Sequence, residues 1–526
     1  MSTFIIEAHT FPLNQIYTIK FSFFSVGEHY IFTLDRPKYR VYNGFMVGRK
    51  QEIQELNNIF NSGKAELVAI YGRRRVGKTY LVDETFKNRI TFRHAGLSPV
   101  EEGTPEGSSL KKQLEHFYFS LQLHGMQKSH RPQSWLEAFF MLEQLLQSKD
   151  NGERQIVFLD ELPWLDTHGS GFITAFEGFW NTWACHRSNI MVVVCGSANS
   201  WILDKLIDNH GGLYNRVTHE LKLEPFTLAE CKEFFKSNNL VISDYDIVQS
   251  YMIFGGIPFY LGYFERGLSL AQNVDKLLFV SKAKLKDEYN RLFESGFSNP
   301  EIMKSIVNLL SQLNAGYTRK EIVEKLKITD SGHLSKYLKA LIASDFVIEY
   351  VPFGFGKRET HYKLVDSFCK FWLKFVNDKE SLDSAFWQPN VTSNQINSWR
   401  GFAFENVCFN HIKQIKSALG ISGVITTHSA WSKRPDETGE KGAQIDLLIS
   451  RNDNVVNMCE MKFYSEEFSV NKDYHETLIK RQNLLSTMIP KKSVVHGTLI
   501  TTYGLTYNEY FGDFINTITM KDLFKD

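Results

Sequence analysis

The octapeptide Gly72-Arg73-Arg74-Arg75-Val76-Gly77-Lys78-Thr79 has the residue types and spacing that hold a polyphosphate. Glycines let backbone N–H groups turn inward at the start of a helix, where the helix dipole also favours negative charge. Lys78 then reaches the β- and γ-phosphates, and the Thr79 hydroxyl offers a hard oxygen to Mg2+. About eighty residues later, Ile156-Val157-Phe158-Leu159-Asp160-Glu161 is an apolar run that ends in two carboxylates. Asp160 is placed to hold Mg2+ through water, and Glu161 to orient or deprotonate an attacking water. A chance glycine turn and a helix-capping acid pair are the plainer readings, and each loses force once both segments occur at this interval. The nucleotide-binding set is Gly72 to Thr79 with Tyr80, Asp160 and Ser197.

Two further polar positions have two readings each. Ser197 and Asn199 follow an apolar run, Met191 to Cys195, and either sense a γ-phosphate or form a plain turn. Arg216, after Gly211-Gly212-Leu213-Tyr214-Asn215, either supplies charge that stabilises phosphoryl transfer, in cis or from a neighbouring copy, or is a solvated surface arginine.

A second set of polar residues lies near the C-terminus. Gln444 to Ile449 and Val455 to Phe463 read as a hairpin turned at Asn452-Asp453-Asn454. Residues two apart share a strand face, so Glu460 and Lys462 point one way while Cys459, Met461 and Phe463 face the core. Asp446 and Glu460 offer hard oxygens suited to Mg2+, and Lys462 can position a water and stabilise charge developing on a phosphate. The plainer reading is an amphipathic strand with a Glu/Lys surface pair. Lys480 and Arg481 either touch a phosphate backbone or are solvated.

The elements that must position these groups are legible in the apolar pattern. Leu67 to Tyr71, Ile156 to Leu159 and Met191 to Val194 are short continuous apolar strands alternating with helical stretches such as Tyr80 to Phe86. That pattern predicts a doubly wound parallel sheet of the α/β class, covered on both faces. After Pro225 the pattern becomes helical: Leu228 to Asn238, Tyr245 to Phe254, and a long run from Leu270 to Glu294. Three helix-like runs then precede two strands: Ile302 to Leu313, Arg319 to Leu326 and Ser331 to Ala343, then Phe346 to Val351 and Glu359 to Leu364. This order predicts a winged helix, with His333, Lys336 and Lys339 on a face that could enter a major groove and Lys357 and Arg358 on the wing. The expected divisions are an N-terminal extension (1–41), a P-loop core (42–224), a helical lid (225–300), the winged helix (301–377), a polar linker (378–398) and a C-terminal domain (399–526).

Several of these segments carry a family likeness. Phe45 to Glu52, Gly72 to Thr79, Leu159-Asp160-Glu161-Leu162-Pro163-Trp164 and Cys195 to Trp201 together resemble the archaeal/bacterial ATPase family. That family belongs to the STAND branch of AAA-like P-loop ATPases, and the similarity runs from about Tyr42 to Leu373. It implies ATP at Gly72 to Thr79, Mg2+ at Thr79 and Asp160, a lid carrying Gly256-Ile257-Pro258, and a winged helix. The order Glu405, Asp446, Glu460-Met461-Lys462 resembles the restriction-endonuclease-like PD-(D/E)xK fold, an α/β domain, from roughly Trp399 onward. That likeness implies metal binding by Asp446 and Glu460, support from Glu405 and catalysis by Lys462. Ile445 stands where the proline of the pattern's name would be.

Composition bounds the rest. The chain has 526 residues, 43% hydrophobic and 23% charged, which excludes a disordered or fibrous protein and predicts several packed units. A formal net charge of +1 means that any contact with DNA or RNA must be a local patch. Six scattered cysteines without a Cys-x-x-Cys pair point to a reducing cytoplasm. Neither an apolar run of membrane-spanning length nor a secretory signal is expected. The combined reading is a cytoplasmic P-loop ATPase, with ATP and Mg2+ as cofactors, coupled to a winged helix and a nuclease-like tail that acts on nucleic acid. The alternative is an ATP-driven switch that binds a protein partner and has a non-catalytic tail, and a homo-oligomer is compatible with either.

Overall fold

Five parallel strands form the first sheet: β1 (Glu66–Tyr71), β2 (Ile90–Ala95), β3 (Gln155–Asp160), β4 (Ile190–Cys195) and β5 (His219–Lys222), in the order β2-β3-β4-β1-β5. The computed structural model describes residues 47–98, 110–208, 211–297, 299–377, 385–433 and 443–525. The expected N-terminal extension, Phe45 and Met46 lie outside them. Successive side chains of a strand point to opposite faces, so Leu67 and Ala69 enter one apolar layer while Val68 and Ile70 enter the other. Helices α1 (Lys50–Phe60) and α2 (Lys78–Phe86) cover one face; α3 (Leu110–Leu123), α4 (Trp135–Ser148) and α5 (Phe172–Gly178) cover the other. A short α6 (Asn199–Ile202) follows β4.

Next come α7 (Leu228–Ser237), α8 (Asp244–Phe254), α9 (Pro258–Leu261), α10 (Leu270–Leu278) and α11 (Glu288–Gly296). The run from Leu270 to Glu294, expected to be one long helix, is broken between Leu278 and Glu288. The break lets Phe279 and Leu285 both enter the core and frees the Lys286 carbonyl to accept from the Trp372 indole at 2.7 Å. Tertiary burial outweighs the helical pattern here.

The following module has α12 (Pro300–Ser311), the two-residue β6 (Tyr317–Thr318), α13 (Arg319–Leu326), α14 (Gly332–Ala343), β7 (Val347–Tyr350), β8 (His361–Leu364) and α15 (Ser367–Phe375). Its strands pair antiparallel in the order β6-β8-β7. Thr318 caps α13 through a reciprocal capping box with Glu321, which fixes the helix start.

The described part of the expected linker is structured. The Asp275 carboxylate accepts the backbone N–H groups of Phe386, Trp387 and Gln388 at 2.8, 2.6 and 3.0 Å, and so anchors α16 (Trp387–Asn390). Trp387 is buried edge-on among Phe371, Phe375 and Trp399. Polar composition hid one tryptophan that decides the packing.

Helices α17 (Asn394–Asn410) and α18 (Ile412–Ala418) lead into a second sheet of β9 (Thr426–Lys433), β10 (Ala443–Arg451), β11 (Val455–Lys462), β12 (Val494–Thr501) and β13 (Asn516–Thr519), with α19 (Lys472–Met488) and a final α20 (Met520–Leu523). The order is β13-β12-β11-β10-β9; β9 to β11 are antiparallel, and β11 to β13 parallel. Asn454, at a φ of 66°, turns the β10–β11 hairpin where the sequence predicts it. The described residues pack as one unit, and one apolar layer runs from α1 through α7–α15 to β10 and β11. At one of these seams the Leu228 N–H of α7 donates to His411 Nε2 at 3.0 Å, while His411 Nδ1 donates to the Val407 carbonyl at 2.7 Å. Among the described residues, no helix is long and apolar enough to cross a membrane.

Candidate nucleotide site

The loop after β1 turns through backbone conformations that few residues tolerate. Gly72 has a φ of +141°, and a Cβ there would lie 2.2 Å from the Leu223 carbonyl oxygen. Gly77 follows at +96°, and α2 then starts at Lys78. Only glycine fits the first of these positions, which explains its place in the motif. The Lys78 ammonium is buried and donates to the Gly72 and Arg73 carbonyls at 2.8 and 3.2 Å. Burial pushes its pKa down, against the nearby Glu161 charge. These carbonyls hold the ammonium where a phosphate oxygen can replace them.

The parallel order β3-β4-β1 brings three strand ends together beside this loop, the position where open α/β sheets bind ligands. The Thr79 hydroxyl donates to Asp160 Oδ2 at 2.9 Å. Asp160 Oδ1 accepts the Cys195 thiol at 2.8 Å and the Glu161 N–H at 3.0 Å. Glu161 has a φ of 45°, and its Oε2 accepts both the N–H and the hydroxyl of Ser197, at 2.9 and 3.0 Å. Thr79 and Asp160 thus present adjoining hard oxygens, which fits Mg2+ held otherwise by phosphate and water. Among the described residues no cluster of three or more His, Cys, Asp or Glu side chains is built to hold a metal alone. Tyr80 is half-buried on α2, and burial pushes its hydroxyl up to about 12.

The three loop arginines, expected in the nucleotide set, turn their side chains elsewhere. Arg73 is 1% exposed and donates to Asp366 at 2.6 Å; burial alone would lower its pKa, but the Asp366 charge raises it. Arg75 grips Glu288 with two bonds of 2.6 and 3.0 Å and lies 3.8 Å from the Phe259 ring centroid. Arg74 donates to the Arg291 carbonyl at 3.3 Å, and burial pushes its pKa down. Their backbones shape the loop, whereas their charged ends meet α11 and the start of α15. Asn199 joins the loop to the end of α14: Gly72 N–H donates to its Oδ1 at 2.9 Å, and its Nδ2 donates to the Ala343 carbonyl at 2.8 Å.

The second set of acids has a different environment. Glu460 is fully buried beneath α19 and accepts from the Tyr474 hydroxyl and Arg481, both at 2.6 Å, with Lys462 Nζ 3.6 Å away. Both faces of β11 are covered, so the expected division into a core face and a polar face does not hold. Glu405 on α17 accepts from Asn314 and faces Lys363, Lys370 and Lys462; burial raises its pKa against those charges. Burial lowers the pKa of Lys370, whose ammonium donates to Asn314 Oδ1 at 3.0 Å. Asp446 lies on β10 one residue before Leu447, which pairs with Cys459, and its side chain is outside the described residues. Lys462 is therefore the group common to Glu405 and Glu460, and the charges beside both acids are the protein's own cations.

Comparison with known proteins covers the segment that contains the first of these sites. Residues 46–264 match the family described as an ATPase domain predominantly from Archaea. This segment is similar to the P-loop ATPase domains of that family. The chain is 24% identical over 445 residues to an uncharacterized protein of Methanocaldococcus jannaschii, covering 84% of this chain and 92% of that one. It is 46% identical over 43 residues to an uncharacterized ATP-binding protein of the same organism, covering 8% of this chain and 73% of that one. Among solved structures, a Walker-type ATPase of Pyrococcus abyssi is similar over 64% of this chain and 98% of its own, with 19% identity and a TM-score of 0.44. The family match ends at Phe264, so the three-helix module and the second sheet lie beyond it.

Within the matched segment, Arg216 is at the end of the sheet away from its own loop. It sits in an exposed turn just before β5; the next residues run alongside β1, with Thr218 N–H on the Leu67 carbonyl and Leu223 N–H on the Tyr71 carbonyl. At ~3.3 Å per strand residue, Arg216 starts about 20 Å from the phosphate loop. A residue that motif reading leaves without a role is Arg49. Its Nη2 donates to the Glu224 carbonyl at 2.6 Å and the Val76 carbonyl at 3.4 Å, and its guanidinium lies over Phe226. The Gly48-Arg49 pair ahead of the first strand was its signal. Asp366 and Glu288 had none, because each is more than 200 residues from its arginine.

Proposed function

We propose that this protein is an ATP-hydrolysing switch, in which ATP and Mg2+ at the P-loop set the placement of a helical lid (225–300) and a winged helix (301–377). The observation that carries this reading is the buried Arg73–Asp366 pair, which ties the phosphate loop to the first turn of α15. Asn199 adds a second tie from Gly72 to the end of α14, and Lys222 pairs with Asp345 in the turn after α14. A phosphate that reshapes this loop therefore moves groups bonded to the winged helix.

In hydrolysis, the amides of Gly72 to Thr79 bind phosphate oxygens and Lys78 exchanges its carbonyl partners for the β- and γ-phosphates. Thr79 and Asp160 would hold Mg2+, which when bound would supply charge neutralisation on those phosphates. Glu161 orients the attacking water, and Ser197 holds its carboxylate. Arg216 can reach a nucleotide only from a second copy of the chain.

Lys339, on the face expected to enter a groove, pairs with Asp204 and Asp208 at 2.6 and 3.6 Å, so α14 is docked on the ATPase domain. This favours a switch over a standing DNA reader. Phosphate release with Mg·ATP, lost in Lys78→Ala, tests the activity. Hydrogen exchange at 343–346 and 366–369 tests the coupling: protection must differ between ADP and a non-hydrolysable ATP analogue, and identical protection in both states refutes it.

A second reading gives the tail phosphodiester cleavage, with metal at Asp446 and Glu460, Glu405 in support and Lys462 catalytic. The shared position of Lys462 beside Glu460 and Glu405 favours it. Mg2+- or Mn2+-dependent cleavage of DNA or RNA, lost in Lys462→Ala, is its test. Absence of cleavage leaves the tail a scaffold for a protein partner.

A further inference from the structure

The end of β4 holds both acids of the ATPase domain, each by a different group. Cys195 is fully buried, and its backbone is fixed between strands by pairing with Ile70 of β1. Its thiol donates to Asp160 Oδ1, which also takes the Glu161 N–H, so that oxygen has two donors. Asp160 Oδ2 is left to meet Thr79. Two residues on, Ser197 is 5% exposed, and its N–H and hydroxyl both donate to Glu161 Oε2.

Given the ATPase reading above, we propose that Cys195 and Ser197 are positioning residues with separable effects. Cys195 fixes which Asp160 oxygen faces the metal and so sets affinity for the magnesium-bound nucleotide. Ser197 holds the Glu161 carboxylate and so sets turnover. A thiol suits the first position because it is a donor small and apolar enough for the strand core, where a charged donor would cost desolvation and compete with the metal. Without the thiol, Oδ1 keeps only the Glu161 N–H, and the carboxylate is held less firmly against rotation away from Thr79.

The test is a crossover between two measurements on the full chain. Dissociation constants for ATPγS are taken with Mg2+ and with EDTA, and kcat is taken with Mg·ATP. Cys195→Ala is expected to weaken Mg·ATPγS binding about three- to tenfold without changing binding in EDTA, the loss of one hydrogen bond from a weak thiol donor. Cys195→Ser restores the donor and the affinity. Ser197→Ala is expected to lower kcat about tenfold with both dissociation constants within about twofold, and Ser197→Thr to recover it. Should Cys195→Ala lose its fold, Cys195→Val, which fills the site without a donor, gives the same reading. Equal weakening with and without metal, failure of serine to rescue, or parallel losses of affinity and kcat in both variants overturns the proposal. A wild-type chain that shows no magnesium-dependent nucleotide binding overturns the ATPase reading itself, a separate result.

Discussion

The two five-stranded sheets both end in acids, yet their surroundings treat those acids in opposite ways. At the first sheet, Asp160 and Glu161 meet neutral donors: a threonine and a serine hydroxyl, a thiol and backbone N–H groups. Such donors orient a carboxylate without an ion pair, and the nearby Lys78 ammonium bonds to loop carbonyls instead of to either acid. At the second sheet, Glu460 meets Arg481 and Lys462, and Glu405 faces three lysines. There the protein has supplied the cations itself. An acid motif thus acquires its chemistry from its partners, which strand spacing does not specify.

The largest way to break this comparison is at the first sheet. Lys78→Ala should lower kcat/KM for Mg·ATP by at least ~100-fold, since it removes a charge at the transferring phosphate. Phosphate release kinetics will show it. At the second sheet the expected loss is in stability: Glu460→Ala leaves Arg481 and Lys462 without their buried partner. It should cost about 3 kcal/mol, the lower end for a broken buried pair because the cations keep some solvent contact. Denaturant unfolding measures it, whereas Asp160→Asn should impair metal-dependent nucleotide binding with a smaller change in stability.

The seam between the two halves predicts an acid sensitivity. Burial lowers His411 to about 4, below its unfolded value of 6.5. As pH falls through 6.5, the unfolded chain takes up the proton first, so this group's stability is present above 6.5 and is lost on the way down to 4. Between pH 6.5 and about 5 the loss should be about 2 kcal/mol. His411→Gln, which keeps an acceptor for Leu228, should flatten that part of the profile in unfolding experiments. The smallest effect sharpens the picture of the first sheet: Arg216→Ala should change hydrolysis at a non-assembled site by no more than about twofold, as for an exposed surface residue. A larger loss that grows with protein concentration would place it in a neighbour's site.

The phosphate loop was legible because its requirements are local. Gly72 and Gly77 supply backbone angles, Lys78 and Thr79 follow at fixed offsets, and the apolar strands before Asp160 and Cys195 dictate parallel neighbours. The arginines misled for the same reason: spacing places them in the loop, but Asp366 and Glu288 arrive from distant helices and take their charges. Trp387 shows the same limit in the region expected to be a linker, since one aromatic side chain and the Asp275 carboxylate outweigh its polar neighbours.

The amino-acid order alone determined that a glycine-turned loop after the first strand and an acid-ended strand exist, because both are set by a few consecutive residues and by side-chain alternation. Only the tertiary structure decided which partner each charge has: that Arg73 serves Asp366, Asn199 joins Gly72 to Ala343, and Glu460 lies under Arg481. The physical reason is range. Backbone angles and strand faces are fixed by neighbours in the chain, whereas a buried charge is fixed by whatever opposite charge packing brings within hydrogen-bonding distance.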